Sequence, residues 1–226
     1  MITLENVSKK YPHNVVALDR VNLKIKPGEF ISLVGQSGTG KTTLVRCLIG
    51  EEKISEGRIM VGDWDITKIG QSEVPYLRRQ VAVIFQDFKL LPKKTLAENV
   101  AFALEVAGKP QKKIKAVVPQ VMKIVGLAGK MHRYPGQVSG GEQQRAAIAR
   151  ALVYQPKVLL ADEPTGNLDS INAQEIIDLL QKINEFGTTI ILVTHNKEIV
   201  NRLKRRVVTL HDGKIISDKK VGTYMI

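Results

Sequence analysis

The chain is poor in cysteine. Cys47 is the only one in 226 residues, so no intrachain disulfide can form, which fits a reducing compartment. Long apolar runs are also missing. No window reaches the roughly 18 uninterrupted apolar residues of a bilayer span, so membrane work would need another chain as anchor. The opening residues Met1-Ile2-Thr3-Leu4-Glu5-Asn6 lack the basic and apolar regions of a signal peptide. Acidic residues are few beside basic ones, 22 against 34, for a formal charge of +12. A surplus of that sign suits nucleic acid, anionic lipid or plain solubility. The basic residues are dispersed, with local clusters at 109–115 and 202–206. The first cluster has no interleaved aromatics, and no nucleic-acid module is visible. No specific nucleic-acid partner is expected. A solvated face and nearness to an anionic membrane surface both remain open.

What is present is an ordinary globular composition, 43% hydrophobic, and a length that allows one large domain or a core with a smaller subdomain. Residues 2–7 and 16–25 alternate as strands, and Lys26-Pro27-Gly28-Glu29 reads as a turn. Residues 30–34 form a short buried-type strand that runs into a glycine-rich loop. A helix is expected over 42–49, stopped by Gly50. Further strands are expected at 58–61 and 81–85. Residues 95–152 then read as mostly helical, opening with a Thr95-x-x-Glu98 capping box. After residue 158 strands at 158–161 and 189–194 alternate with helices at 172–186 and 197–203. A hairpin at 207–217 turns on Asp212-Gly213. Strands separated by helices predict a parallel sheet with crossovers, and the central helical stretch reads as an insertion.

Three motifs carry chemistry. Gly35-Gln36-Ser37-Gly38-Thr39-Gly40-Lys41-Thr42 fits the pattern G-x-x-x-x-G-K-[ST], with a strand before it and a helix after. Its backbone N–H groups would curl round phosphate oxygens at a helix N-terminus. Lys41 would reach the β- and γ-phosphates, and the Thr42 hydroxyl would ligate Mg²⁺. Val158-Leu159-Leu160-Ala161-Asp162-Glu163 sets two carboxylates at the end of a buried strand, the edge where α/β sheets bind ligands. Asp162 would hold Mg²⁺ and Glu163 would act as general base toward water. In Val138-Ser139-Gly140-Gly141-Glu142-Gln143-Gln144-Arg145, Ser139 and Glu142 have capping-box spacing. The two glycines leave the same terminus open to an anion.

The loop at 35–42, Gln86, the run 138–145, Asp162-Glu163, Asn167-Leu168-Asp169 and His195 occur together and in this order. In this the chain resembles the nucleotide-binding domain of ABC ATPases along essentially its whole length. The resemblance implies an α/β fold: a P-loop NTPase core of ABC type over 1–85 and 158–226, with an N-terminal antiparallel β subdomain. An inserted α-helical subdomain over about 87–152 would carry the run at 138–145.

The resemblance also implies ATP and Mg²⁺ as cofactors and assigns roles. Nucleotide contacts would come from Gly35, Gln36, Ser37, Gly38, Thr39, Gly40, Lys41, Thr42 and Thr43, with Tyr11 stacking on adenine. Glu163, His195, Gln86 and Lys41 would be catalytic, and Thr42, Gln86 and Asp162 would hold the metal. Ser139, Gly140, Gly141 and Glu142 would touch ATP held by a second copy in an ATP-bound homodimer, and Asp169 would couple the two sites.

Within the family, Phe85-Gln86-Asp87-Phe88-Lys89-Leu90-Leu91 and Glu98-Asn99-Val100-Ala101-Phe102-Ala103-Leu104 look most like the cell-division branch. That implies a partner resembling the membrane subunit FtsX, contact with the division machinery, and a peripheral place on the cytoplasmic face of the bacterial inner membrane. Phe88, Leu90, Leu91 and Pro92 are then expected to border the partner's groove. Exporter or lipoprotein-release complexes, and a nucleotide-gated division scaffold, are the alternatives.

Overall fold

Burial along the strands separates two sheets. Strands β1 (Ile2–Tyr11) and β2 (Val15–Ile25) alternate between buried and exposed positions, as one-sided antiparallel strands do. Strands β3 (Phe30–Val34), β7 (Val158–Asp162) and β8 (Thr189–Val193) are buried almost throughout, as strands covered on both faces are. The computed structural model, which describes residues 2–224, assigns the first kind to a four-stranded antiparallel sheet. Its order is β2-β1-β4-β5, completed by β4 (Glu56–Val61) and β5 (Trp64–Asp65). The second sheet has six strands in the order β10-β9-β3-β8-β7-β6, completed by β6 (Val81–Ile84), β9 (Arg206–His211) and β10 (Lys214–Lys219). All its pairings are parallel except that of β10 with β9.

The helices are α1 (Lys41–Leu48), α2 (Val74–Gln80), α3 (Leu96–Val106), α4 (Gln111–Ile124), α5 (Gly140–Leu152), α6 (Ser170–Glu185) and α7 (Lys197–Leu203). The bounds of α1, α6 and α7 lie within two residues of the sequence expectation, and α3, α4 and α5 fall in the stretch read as mostly helical. The helix α2 was not anticipated: it is two turns long and buries only Val74 and Leu77, too few for a period to show. The Asp212-Gly213 turn has φ of 44° and 74°, the left-handed pair that a two-residue hairpin with native twist requires.

The six-stranded sheet divides the core. Alternate residues of one strand point to opposite faces. On one face Ala82, Ile84, Leu159, Ala161, Ile190 and Leu192 pack with α3, α4, α5 and α6. On the other, Ile31, Leu33, Leu160 and Ile191 pack with α1, α2 and the antiparallel sheet. The three helices between β6 and β7 therefore share one apolar cluster with the sheet. Since β6 and β7 are adjacent and parallel, with Val81 opposite Val158, the helical stretch leaves and returns between neighbouring strands.

Candidate active site

Four strands of the large sheet end side by side and deliver the predicted residues. β3 leads into the loop at 35–40, β6 into Phe85 and Gln86, β7 ends at Asp162 and precedes Glu163, and β8 leads to His195. These carboxyl ends are where an open parallel sheet offers a crevice. A cavity of about 560 Å³ opens there. Its walls include Gln36, Ser37, Gly38, Gly40, Lys41, Thr42, Thr43, Gln86, Asp162, Glu163 and His195, with Ala17 at one side. Eleven residues expected from sequence thus share one space.

Gly40 is the cap of α1, and no side chain caps that helix. Its φ is 101°, and a Cβ there would stand 2.1 Å from the Ala17 carbonyl oxygen, so only glycine fits. A Cβ on Gly35 would meet the Leu210 carbonyl oxygen at 2.3 Å. Gly35 and Thr39 do not line the cavity; they shape the loop from behind, Thr39 by donating its hydroxyl to the Gln36 carbonyl at 2.9 Å. Lys41 folds back over the loop, its Nζ donating to the carbonyls of Gly35 at 2.8 Å and Gln36 at 2.6 Å. Burial pushes the Lys41 ammonium below the ordinary lysine range, and the nearby Glu163 and Asp162 charges oppose that.

Asp162 moves the other way. Burial first, then the Glu163 charge, raises its carboxyl above the usual range, while Lys41 and Arg46 pull it down. Glu163 has φ of 48° and donates its N–H to the Val193 carbonyl at 2.9 Å. That left-handed backbone at a non-glycine residue is strain held by the surrounding strands. Glu163 Oε1 lies 2.8 Å from His195 Nδ1. The imidazole is 71% exposed and the carboxylate 19%, so the pair has one wet member and one sheltered one. His195 sits between β8 and the cap of α7, where Asn196 accepts from the Ile199 N–H at 3.1 Å. Gln86 Nε2 donates to Asn167 Oδ1 at 3.1 Å, and Asn167 Nδ2 returns a bond to the Gln86 carbonyl at 3.3 Å.

The other predicted residues lie away from this cavity. Ser139 caps α5, and the reciprocal box with Glu142 is formed: Ser139 Oγ accepts from Glu142 N at 3.3 Å, and Glu142 Oε2 accepts from Ser139 N at 3.0 Å. Gly141 is buried, and a Cβ on it would strike Asn172 Oδ1 at 2.1 Å, so the glycine lets α5 approach α6. Gly140 faces Leu168 and Phe88. Asp169 is the cap of α6, accepting from Asn172 N at 2.9 Å and Asn172 Nδ2 at 2.6 Å, bonds that lower its pKa. Tyr11 closes β1; its ring lies 4.8 Å from the Lys9 ammonium and does not line the cavity. Of the residues expected at a partner groove, Pro92 is exposed, while Leu90 packs partly against the helical cluster.

Three polar side chains around the site were not singled out from sequence: Asn99, Gln144 and Arg150. Asn99 is fully buried and clamps both the N–H and the carbonyl of Leu91, at 2.7 and 3.1 Å. Arg150 donates to the carbonyls of Phe88 and Lys89 at 3.0 and 2.6 Å. Asn99 and Gln144 do leave a signal, since each is a polar residue on the apolar stripe of its helix.

The profile of the ABC transporter family matches residues 18–166. The chain is 50% identical over 224 residues to the cell division ATP-binding protein FtsE of Streptococcus pneumoniae, covering 99% of this chain and 97% of that one. It is 48% identical over 224 residues to FtsE of Bacillus subtilis, covering 99% and 98%. Among solved structures it is similar to the ATP-binding cassette MJ0796, captured as a dimer in a post-hydrolysis state bound to ADP and Pi. That likeness has a TM-score of 0.88 and 34% identity, covering 99% of this chain and 100% of the other. Fold, site and relatives agree that the chain belongs to the ABC transporter family of ATPases.

Proposed function

We propose that this protein hydrolyses ATP at a site completed by a second copy of itself, and that it drives an FtsX-type membrane subunit in bacterial cell division. The observation that carries the reading is the meeting of Lys41, Thr42, Gln86, Asp162, Glu163 and His195 around one cavity at the carboxyl ends of four strands. Phosphate groups would lie against the uncapped start of α1, where backbone N–H groups and Lys41 meet negative charge. Thr42, Gln86 and Asp162 are oxygen donors on the same wall, a set that fits Mg²⁺. When bound there, that ion would neutralise charge on the phosphates. Glu163 would take a proton from the attacking water, and His195, bonded to Glu163 at 2.8 Å, would orient it beside the γ-phosphate.

The run from Ser139 to Glu142 would meet the nucleotide of the other copy. Its capping box uses the amides of Ser139 and Glu142 and leaves those of Gly140 and Gly141 outside it. Asp169, which caps α6 and lies beside Asn172 under Gly141, would couple the two sites. Tyr11 would stack on adenine. ATP would favour the closed pair of subunits, and hydrolysis would release it, a population shift that a membrane partner can use. The resemblance to FtsE supports the rest: a peripheral position on the cytoplasmic face of the membrane and, through FtsX, activation of peptidoglycan hydrolases. Among the described residues no helix is long and apolar enough to cross a membrane, so the partner would supply the anchor.

Glu163→Gln is expected to abolish turnover while ATP converts the protein to a stable dimer on size-exclusion chromatography. Ser139→Arg should still bind ATP as a monomer but fail to dimerise and turn over. Turnover surviving Ser139→Arg would remove the composite site, and turnover surviving Glu163→Gln would remove the general base. Co-purification from membranes with a short four-span protein supports FtsX. Recovery of a long permease with a large extracytoplasmic domain would point to an exporter or lipoprotein-release complex instead.

A further inference from the structure

Gln144 is fully buried, at 0% exposure, on the face of α5 turned toward the sheet. Its Nε2 donates to the Pro164 carbonyl at 2.7 Å and reaches the Phe85 carbonyl at 3.4 Å. Pro164 follows Glu163, and Phe85 precedes Gln86. One amide group therefore ties together the two backbones next to the general base and the Gln86 side chain. The orientation is fixed by chemistry. A flipped amide would set its oxygen against two carbonyl oxygens, which cannot donate.

The same residue is a poor choice for packing alone. Gln144 Oε1 is buried and has no hydrogen-bond partner among the described residues. A buried acceptor left unmatched disfavours the folded state and offsets part of what the Nε2 bonds contribute. Gln144 also does not act alone on this segment. Arg150, farther along α5, holds the carbonyls of Phe88 and Lys89, and Asn167 holds that of Gln86. Main-chain oxygens on both sides of Gln86 thus hang from side chains of α5, the helix whose first turn carries Ser139.

We propose that Gln144 is a positioning residue for hydrolysis: its buried amide sets the spacing between the Gln86 and Glu163 loops and couples that spacing to the tilt of α5. The proposal rests on the reading of Glu163 and Gln86 given above. Gln144 touches neither nucleotide nor water; it acts through the two carbonyls. A shift of α5 carries Phe85 and Pro164 together, so the seating of Ser139 at one end of the helix is felt at the reacting centre.

The test compares Gln144→Met and Gln144→Glu in the full-length protein with ATP as substrate. Gln144→Met removes the donor and the unmatched acceptor at similar volume. Its kcat is expected to fall about tenfold or more, with KM for ATP near native and only a modest drop in Tm from the Pro164 carbonyl left without its donor. A kcat within about twofold of native would overturn the proposal. So would a kcat loss no larger than the loss of folded protein at the assay temperature, which would make Gln144 a residue of the fold. Gln144→Glu supplies an independent readout. Only the protonated carboxyl can donate to Pro164, and burial raises the pH at which it holds its proton. The activity of this variant relative to native should rise as pH falls from about 8 to about 6. A flat ratio would overturn the proposal. Glu163→Gln serves as the control on the reading beneath it. If Glu163→Gln retains turnover, the site assignment itself fails; if it is inactive while Gln144→Met is normal, only this inference fails.

Discussion

The protein has two glycine-led helix starts that differ in almost everything else. The start of α1 has no side-chain cap, no acidic residue in its first turn, and a lysine that bonds its own loop carbonyls. The start of α5 is closed by a reciprocal Ser139–Glu142 box, and Lys130 bonds Glu142 from outside. At α1 Gly40 meets rigid backbone, since a Cβ on it would face the Ala17 carbonyl oxygen. In α5 the tightest neighbour of Gly141 is the side chain of Asn172. In the proposed function, the first terminus would leave its N–H groups to a phosphate held within the same chain. The second satisfies itself through its capping box and would keep only a small remainder for another subunit's nucleotide. Glycine followed by a helix is thus not one device. What the first turn supplies for itself decides how much is left for a ligand.

The comparison can be broken by removing charge from one start. Lys41→Ala should reduce ATP hydrolysis about 100-fold or more and weaken nucleotide binding to the isolated chain, read by steady-state assay and calorimetry. Ser139→Ala should leave that binding untouched. A second cut concerns backbone space. Gly40→Ala should destabilise by about 3 kcal/mol in denaturant unfolding, since it combines a positive φ with a clash on backbone. Gly141→Ala should cost about 1 kcal/mol, because Asn172 can swing away at the expense of its bond to Asp169. Equal costs would mean that the two glycines serve the same purpose after all. Ser139→Ala, which opens the box at α5, should cost about 1 kcal/mol of stability.

The smallest effect is one of pH. Hydrogen bonding from Lys130, helped by the Ser139 N–H, holds the Glu142 carboxyl below its ordinary value of 4.5. A carboxyl depressed in the folded state stabilises above its unfolded pKa and stops doing so as pH falls through the folded one. The Tm gap between native protein and Glu142→Gln should therefore narrow as pH drops below about 4.5. No such carboxylate exists in the first turn of α1, so its variants should show no matching trend.

Much of this contrast was legible in the residues. The loop at 35–42 declared itself because glycines, lysine and threonine at fixed spacing have few other uses, and Ser139-x-x-Glu142 because a capping box is local. Asp162 and Glu163 were marked by the apolar strand before them. What stayed hidden depends on contacts across the fold. Nothing near Gly141 in sequence says that Asn172 stands against it. Gln144 and Asn99 interrupt apolar stripes, but only the packed structure shows the carbonyls they hold. The shared apolar cluster of the central helices and the sheet was equally out of reach. A helical period reports which face is buried, not what buries it.

The phosphate loop also leans on a distant part of the chain. The carbonyl of Leu210 stands where a Gly35 side chain would be, and Gly213 bonds both the Thr39 carbonyl and the Asp19 amide. These supports are encoded about 170 residues downstream of the loop, and a ribosome adding about 5–20 residues per second reaches them late. The nascent chain thus carries the nucleotide motif for many seconds before the hairpin that shapes it exists.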